Sequence, residues 1–153
     1  MLSEEARRVL PYASAILFDL AADLERYPQY VPGWISVQVS SREPEVCRAE
    51  QVVGFGPVQM RFRTEARLHR PEHIEVTSAD PRFTRFRLLW RFENAGAGAC
   101  QVALGVELEL RSPFLQGWME RAGAGTAADV LVAFERRALQ LHGPAAVDRP
   151  RSR

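Results

Sequence analysis

Two periods divide the chain. Up to about residue 34 the apolar positions follow helical spacing or short irregular runs, and from Ile35 to Leu110 they alternate with polar residues, as half-buried strands require. The clearest alternation places Val58, Met60, Phe62, Thr64, Ala66 and Leu68 on one face and Gln59, Arg61, Arg63, Glu65 and Arg67 on the other. Phe86, Leu88, Trp90 and Phe92 repeat the pattern, as do Val102, Leu104, Val106, Leu108 and Leu110. The separators Arg42-Glu43-Pro44-Glu45, Gly54-Phe55-Gly56-Pro57, Arg70-Pro71-Glu72, Asp80-Pro81 and Asn94-Ala95-Gly96-Ala97-Gly98 carry turn chemistry at hairpin intervals. About six successive strands in an antiparallel meander follow from this spacing.

Before the meander, Arg7–Tyr12 with Pro11 near its end reads as a short edge strand. Ser14 is placed to cap a helix carrying Ile16, Leu17, Leu20, Ala21 and Leu24, and Asp23 to cap a second short turn that Pro28 ends or kinks. A proline-rich elbow, Tyr27 to Trp34, leads into the strands. After them, Ser112-Pro113 and His142-Gly143-Pro144 delimit one helix of roughly thirty residues, about 45 Å long. Its apolar stripe is Leu115, Trp118, Met119, Ala122, Thr126, Val130, Ala133, Phe134, Ala138 and Leu141. The stretch Ala122–Ala128 holds two glycines, and two readings stay open: a close approach or kink of helix on sheet, or space left for a ligand. The architecture expected is α+β, a curved antiparallel sheet around a long C-terminal helix. Residues 1–143 form the domain and 144–153 a flexible tail.

At 153 residues, with 46% hydrophobic and 25% charged, one globular domain is expected, and wholesale disorder is excluded. No apolar run approaches the roughly 18 residues that cross a bilayer, and the acidic start Met1-Leu2-Ser3-Glu4-Glu5 is no signal peptide, so a cytoplasmic protein is expected. Cys47 and Cys100 lack metal-ligand spacing and read as reduced core thiols. Charge is uneven: residues 58–91 hold eight Arg against four acids, a balance of +4, and residues 1–45 four Arg against seven acids, −3. The Arg stripes read first as a solvated sheet face laced with Glu, with Glu107 and Glu109 as partners; an anionic membrane, a partner protein or RNA are the alternatives. Because Phe62, Phe86, Trp90 and Phe92 alternate onto the opposite face, stacking on bases is poorly served, and no DNA contact is expected.

Chemistry-bearing motifs are sparse. His69 and His73 flank a turn and His142 ends a helix; no zinc spacing, nucleophile elbow, phosphate-binding loop or dinucleotide fingerprint occurs. A binding protein rather than an enzyme is expected.

The segments Arg8-Val9-Leu10-Pro11-Tyr12, Phe18-Asp19-Leu20-Ala21-Ala22-Asp23-Leu24-Glu25-Arg26-Tyr27-Pro28, Tyr30-Val31-Pro32-Gly33-Trp34 and Ala133-Phe134-Glu135-Arg136-Arg137-Ala138 resemble the coenzyme-Q-binding START-like family. That family lies within the polyketide cyclase/dehydrase and lipid-transport superfamily, and the resemblance covers roughly residues 5–143. It implies a helix-grip fold and non-catalytic binding of ubiquinone or a related isoprenoid lipid in a tunnel between sheet and helix, in support of respiration. Ubiquinone is then a bound ligand and not a cofactor, and peripheral contact with the inner membrane or respiratory complexes is implied. A bacterial branch acts as a ribosome-association toxin that binds the large subunit, and polyketide cyclases share the fold. Tyr27, Pro28, Tyr30, Val31 and Pro32 match the family elbow and Phe134 an apolar position of the gripped helix, whereas Gly33 intervenes where the common elbow has Trp directly after the second Pro. The ligand-binding residues expected are Tyr27, Tyr30, Val31, Pro32, Trp34, Phe62, Trp90, Leu115, Met119, Ala122, Thr126 and Phe134, with Tyr27, Tyr30, Trp34 or Thr126 donating to ring carbonyls.

Overall fold

A computed structural model describes residues 1–121 and 127–144. Seven strands form one sheet: β1 (Leu2–Leu10), β2 (Trp34–Arg42), β3 (Val46–Phe55), β4 (Val58–His69), β5 (His73–Thr77), β6 (Phe83–Asn94) and β7 (Cys100–Leu110). Their spatial order is β1-β7-β6-β5-β4-β3-β2, and every neighbouring pair is antiparallel. Strands β2 to β7 are the expected six-strand meander, and β1 extends it by pairing with β7 from Leu2↔Leu108 to Leu10↔Cys100. The first strand therefore begins five residues before Arg7, because alternation and a full ladder on β7 carry it through Glu4 and Glu5.

Helix α1 (Ser14–Ala22) and a 3₁₀ turn (Leu24–Gln29) link β1 to β2. Ser14 is the first helical residue and not the cap: Ala13 occupies the cap position, with no side-chain bond to the helix. Asp23 precedes the 3₁₀ turn as expected but makes no capping bond, and Pro28 lies inside the turn. The buried face of α1 is Leu17, Phe18, Leu20 and Ala21, so Phe18 replaces Ile16, which is partly exposed.

The expected C-terminal helix is seen as α2 (Pro113–Arg121) and α3 (Ala127–His142), and residues 122–126, including Ala122 and Thr126, lie outside the described residues. Ser112 caps α2, its Oγ accepting from Leu115 N at 3.2 Å. Gly143, at φ +74°, closes α3, its N–H donating to Leu139 O at 2.9 Å. The buried stripe of α3 is Ala127, Val130, Leu131, Ala133, Phe134 and Ala138. Leu141, expected in that stripe, is 52% exposed, because the last turn is held from one side by Tyr12 Oη donating to Gly143 O at 2.7 Å and no strand covers it. Glu4 on β1 accepts from Ala127 N at 3.0 Å, a carboxylate placed where the helix presents free N–H groups.

The concave face carries the core. Trp90 and Phe134 meet with ring centroids 4.8 Å apart, Phe92 stacks beside Trp90 at 6.1 Å, and Phe18 meets Phe92 at 5.8 Å. A second cluster of Val53, Met60, Phe62, Phe83, Leu110 and Met119 lies under α2. On the convex face the arginines are matched across strands: Arg61 to Glu50 at 2.8 Å, Arg48 to Glu65 at 3.1 Å, Arg91 to Glu5 at 3.2 Å, and Arg87 to Glu75. Glu107 pairs with Arg85 and Arg87 as expected. Glu109 does not serve the stripe: although Arg85 faces it in register, its carboxylate takes Thr84 Oγ1 at 2.7 Å and lies 3.8 Å from the terminal amine. Among the described residues no helix is long and apolar enough to cross a membrane.

Phe134 is fully buried, so Phe134→Ala is expected to cost about 3–5 kcal/mol in urea unfolding. Leu141→Ala is expected to stay within about 0.5 kcal/mol of the parent, which separates the observed helix face from the one periodicity alone would choose.

Candidate ligand cavity

The elbow builds the site from local chemistry. Tyr27, within the 3₁₀ turn, is buried and its Oη donates to Ala21 O at 2.5 Å, fastening the turn back onto α1. Its ring meets Tyr30 at 5.8 Å and Trp34 at 5.9 Å, both edge-on. Val31 N donates to Tyr27 O at 2.8 Å, which turns the chain inward. Gly33 has φ +85°, a conformation side chains resist, and its carbonyl accepts from Gly54 N at 2.8 Å. The residue that departs from the usual elbow is thus the one that clips the elbow onto β3. Trp34 then opens β2, and its Nε1 donates to Gln51 Oε1 at 2.7 Å. Gln51 Nε2 donates to Thr64 Oγ1 at 2.8 Å, so a buried polar chain crosses three strands with each member satisfied.

Between elbow, sheet and α3 lies a partly open cavity of about 80 Å³. Tyr27, Val31, Pro32, Gly33 and Trp34 come from the elbow, Val53, Gly54 and Phe62 from β3 and β4, Phe83, Phe86, Leu88 and Trp90 from β6, Leu104, Val106 and Leu108 from β7, Leu2 from β1 and Val130 from α3. Ligand sites usually run to roughly 300 Å³ or more, so a ring with a prenyl chain requires lining side chains to withdraw. Phe86 and Leu88 are only partly buried, unlike their neighbours Trp90 and Phe92, and face this space. Two larger grooves, of about 760 and 790 Å³, lie outside near Pro71 and Asn94, open to solvent, and their walls include Glu72, Glu75, Arg87 and Arg91. An apolar ligand is better matched by the small interior space than by these.

Of the expected site residues, Tyr27, Val31, Pro32, Trp34, Phe62 and Trp90 line the cavity. Met119 packs in the cluster under α2 with Leu115 against it, and Phe134 lies behind Trp90. Tyr30 turns from the cavity toward α3, where the Arg137 guanidinium stands 5.3 Å from its ring centroid. Ala122 and Thr126 are outside the described residues. Sequence reasoning missed Leu2, Gly33, Val53, Gly54, Phe83, Phe86, Leu88, Val130 and the β7 valine and leucines. Alternation had placed several of these inward, but it does not separate inward residues that touch each other from those that face a void.

Polar groups divide into used and unused. Tyr27 and Trp34, both expected as donors to a ligand, already donate to Ala21 and Gln51. Among the described residues three buried side-chain atoms have no hydrogen-bond partner: Tyr30 Oη, Trp90 Nε1 and Arg137 Nε. Trp90 is 2% exposed and lines the cavity; its Nε1 lies toward the Tyr27 oxygen without completing a bond of normal geometry. An unmatched buried donor costs about 1–3 kcal/mol, so a ligand acceptor reaching it recovers a penalty already present in the empty fold. Burial pushes the Tyr27 phenol well up, reinforced by Tyr30 and Asp23 and opposed by Trp90. Tyr30 is pushed up by burial too, with Arg137 opposing and Asp23 reinforcing. Among the described residues no cluster of three or more potential metal ligands is present.

Residues 10–135 match the family described as Polyketide cyclase / dehydrase and lipid transport. The chain is similar to the Ribosome association toxin RatA of Pseudomonas aeruginosa, 31% identical over 135 residues, covering 88% of this chain and 94% of the relative. It is also similar to the mitochondrial Coenzyme Q-binding protein coq10 of Schizosaccharomyces pombe, 27% identical over 144 residues, covering 90% and 87%. Among solved structures, the Zhui aromatase/cyclase of a Streptomyces species superposes with a TM-score of 0.73 at 16% identity, covering 94% and 99%, a likeness of fold.

Both raised phenols are expected to stay protonated above pH 10, the ordinary tyrosine value, until the chain unfolds. Their neutral forms are favoured by the fold, so the stability they contribute is complete below that pH and is lost as pH rises toward the folded values. Absorbance titration of the phenolates alongside denaturant midpoints checks this. In Tyr27→Phe and Tyr30→Phe the alkaline fall in midpoint is expected to be shallower than in the parent.

Proposed function

The chain belongs to the polyketide cyclase/dehydrase and lipid transport family, and from that membership and the cavity we propose that it binds an isoprenoid quinone or a related lipid without catalysing its conversion, as a carrier or chaperone for respiratory electron transfer. One observation carries this reading most directly: a predominantly apolar wall that includes Trp90, whose buried Nε1 lacks a completed hydrogen bond beside the Tyr27 oxygen. A polyprenyl chain asks only for apolar walls, whereas a quinone ring brings carbonyl oxygens that accept hydrogen bonds. The similarity to a protein named for coenzyme Q binding supports the same class of ligand. For acid–base catalysis the described lining offers one titratable group, Tyr27, whose phenol is held by Ala21 and pushed away from neutral pH. That favours binding over the cyclase chemistry for which relatives of this fold are named.

A second reading, association with the large ribosomal subunit, draws on the similarity to the ribosome association toxin. It would act through surface charge, and the convex Arg stripe is largely neutralised by Glu50, Glu65, Glu75 and Glu107. Ribosomal subunit profiles on gradients after overexpression test it directly.

The quinone reading is tested by extraction and mass spectrometry of protein purified from a quinone-producing bacterium. The parent is expected to hold near-stoichiometric quinone. Trp90→Phe removes the donor while keeping an aromatic ring in the wall, and retention is expected to fall at least roughly three- to tenfold, the worth of one hydrogen bond. Leu88→Trp, which fills the cavity from a partly buried position, is expected to abolish retention. Only generic fatty acids in the parent, or quinone undiminished in Leu88→Trp, would overturn the reading.

A further inference from the structure

An antiparallel sheet that does not close on itself has two edges, and here they are β1 and β2. The β2 edge is irregular: its register on β3 shifts twice, between Trp34 and Ser36 and between Val39 and Ser41, and such bulges discourage a further strand. β1 is regular. Its ladder on β7 runs unbroken from Leu2 to Leu10, the strand contains no proline, and among the described residues its only backbone partner is β7.

Charges on an edge strand usually repel a second strand, but their order in β1 makes them self-complementary. The central run is Glu4-Glu5-Ala6-Arg7-Arg8, acids before the alanine and bases after it. A second β1 laid antiparallel with Ala6 opposite Ala6 sets Glu5 against Arg7 and Glu4 against Arg8, each pair twice by symmetry. Sliding the strands by one step that keeps the faces matched sets Arg7 against Arg7 or Glu5 against Glu5, and an in-register parallel strand sets every charge against its like. The favoured register pairs even positions with even, so the concave faces of both copies lie on one side. In the single chain Arg7 folds back on Glu5 at 2.6 Å and Arg8 reaches Glu135 at 2.7 Å; these pairs are solvent-exposed, and re-forming them across a seam costs little.

The helix above this edge carries a second, apolar feature. α3 runs in the same direction as β1, with Glu4 at Ala127 N and Arg8 further along at Glu135. Glu135 therefore marks the flank of α3 on the side of β1, and the opposite flank carries Arg137, which faces Tyr30 of the elbow. Ala128, Val132 and Leu139 share the Glu135 flank at helical spacing. All three face solvent, Val132 at 42% and Leu139 at 50% exposure, although the rest of the helix buries its apolar residues well.

From the charge order of the strand and the bare flank of the helix we infer that β1 is the seam of a two-fold homodimer. Two β1 strands pair antiparallel about Ala6, two sheets become one continuous sheet, and the α3 flanks approach each other over the seam, covering Val132. The occupant is a second copy because the pattern is complementary to itself, as a two-fold interface requires. Leu2 of β1 lines the cavity, so the seam braces one cavity wall and holds two ligand spaces on the same side of the joined sheet. The inference does not depend on which ligand the cavity takes.

The test is sedimentation velocity of the full chain from about 1 to about 100 μM, the range in which a modest interface associates. The parent is expected to pass from monomer to dimer. Arg7→Glu and Glu5→Arg each set like charges opposite one another twice, and each is expected to weaken the dimer roughly tenfold or more with a urea midpoint near the parent's. An equimolar mixture of the two variants restores both opposite-charge contacts, and dimer is expected to return in the mixture alone, which no folding defect can imitate. Val132→Asp, altered at an exposed position, is expected to weaken the dimer by a similar factor. A parent that stays monomeric throughout, single variants that dimerise like the parent, a mixture that regains nothing, or a dimer indifferent to Val132→Asp would each overturn the seam.

Discussion

The contact between Trp90 and Phe134 is the joint on which this molecule depends. A curved sheet has a concave face too wide for its own side chains to close, and among the described residues the longest helix, Ala127–His142, lays its buried stripe against it. The two rings meet at 4.8 Å where sheet and helix approach, both nearly free of solvent. On the α1 side of that joint Phe18, Phe92 and Leu131 pack into one core. On the elbow side the space is not filled, and the wall there is made by Trp90 itself. One residue is thus both the hinge of the core and the boundary of the cavity.

The polar groups follow a consistent division of labour. On the convex face charges are satisfied by one another across the ladder, pairs that individually contribute little to stability at such exposure but leave no strong field of one sign. Inside, the Trp34–Gln51–Thr64 chain and the Tyr27–Ala21 bond satisfy the donors that hold the elbow in place. Among the described residues, what remains unmatched lies at the ligand space and beside it, at Trp90 Nε1, Tyr30 Oη and the Arg137 Nε that stands over Tyr30. A fold that spends its hydrogen bonds on positioning the elbow and surrounds a small space with mostly apolar side chains is suited to hold a molecule with few polar atoms.

Much of this was legible in the chain. The alternation of β4 and β6 placed Phe62 and Trp90 inward, the turn residues fixed six consecutive hairpin-linked strands, and Ser112 and Gly143 marked helix ends that are occupied as their chemistry requires. Errors came where local patterns compete. Ser14 has the right chemistry for a cap, yet Ala13 takes that position without a side-chain bond. Leu141 continues a helical stripe on paper, but the sheet does not extend beneath the last turn. Tyr30 belongs to the elbow phrase and still points away from the cavity, drawn to Arg137, a residue more than a hundred positions later.

The sequence by itself determined the fold class, the order of elements and which face of each strand is apolar, because these depend on periods of two and of three to four residues and on turn chemistry within a few positions. Tertiary structure alone decided which donors are free and where the uncharged segments lie. Tyr27 and Trp34 look like ligand donors until Ala21 and Gln51 are seen to occupy them, and nothing local distinguishes them from Trp90. Likewise the uncharged segments 30–41, 51–60 and 112–119 are three unrelated stretches until the β2–β3 ladder and the packing of Trp118 on Gly56 bring them together. The physical reason is common to both: satisfaction of a hydrogen bond and convergence of a surface are set by what stands opposite in space.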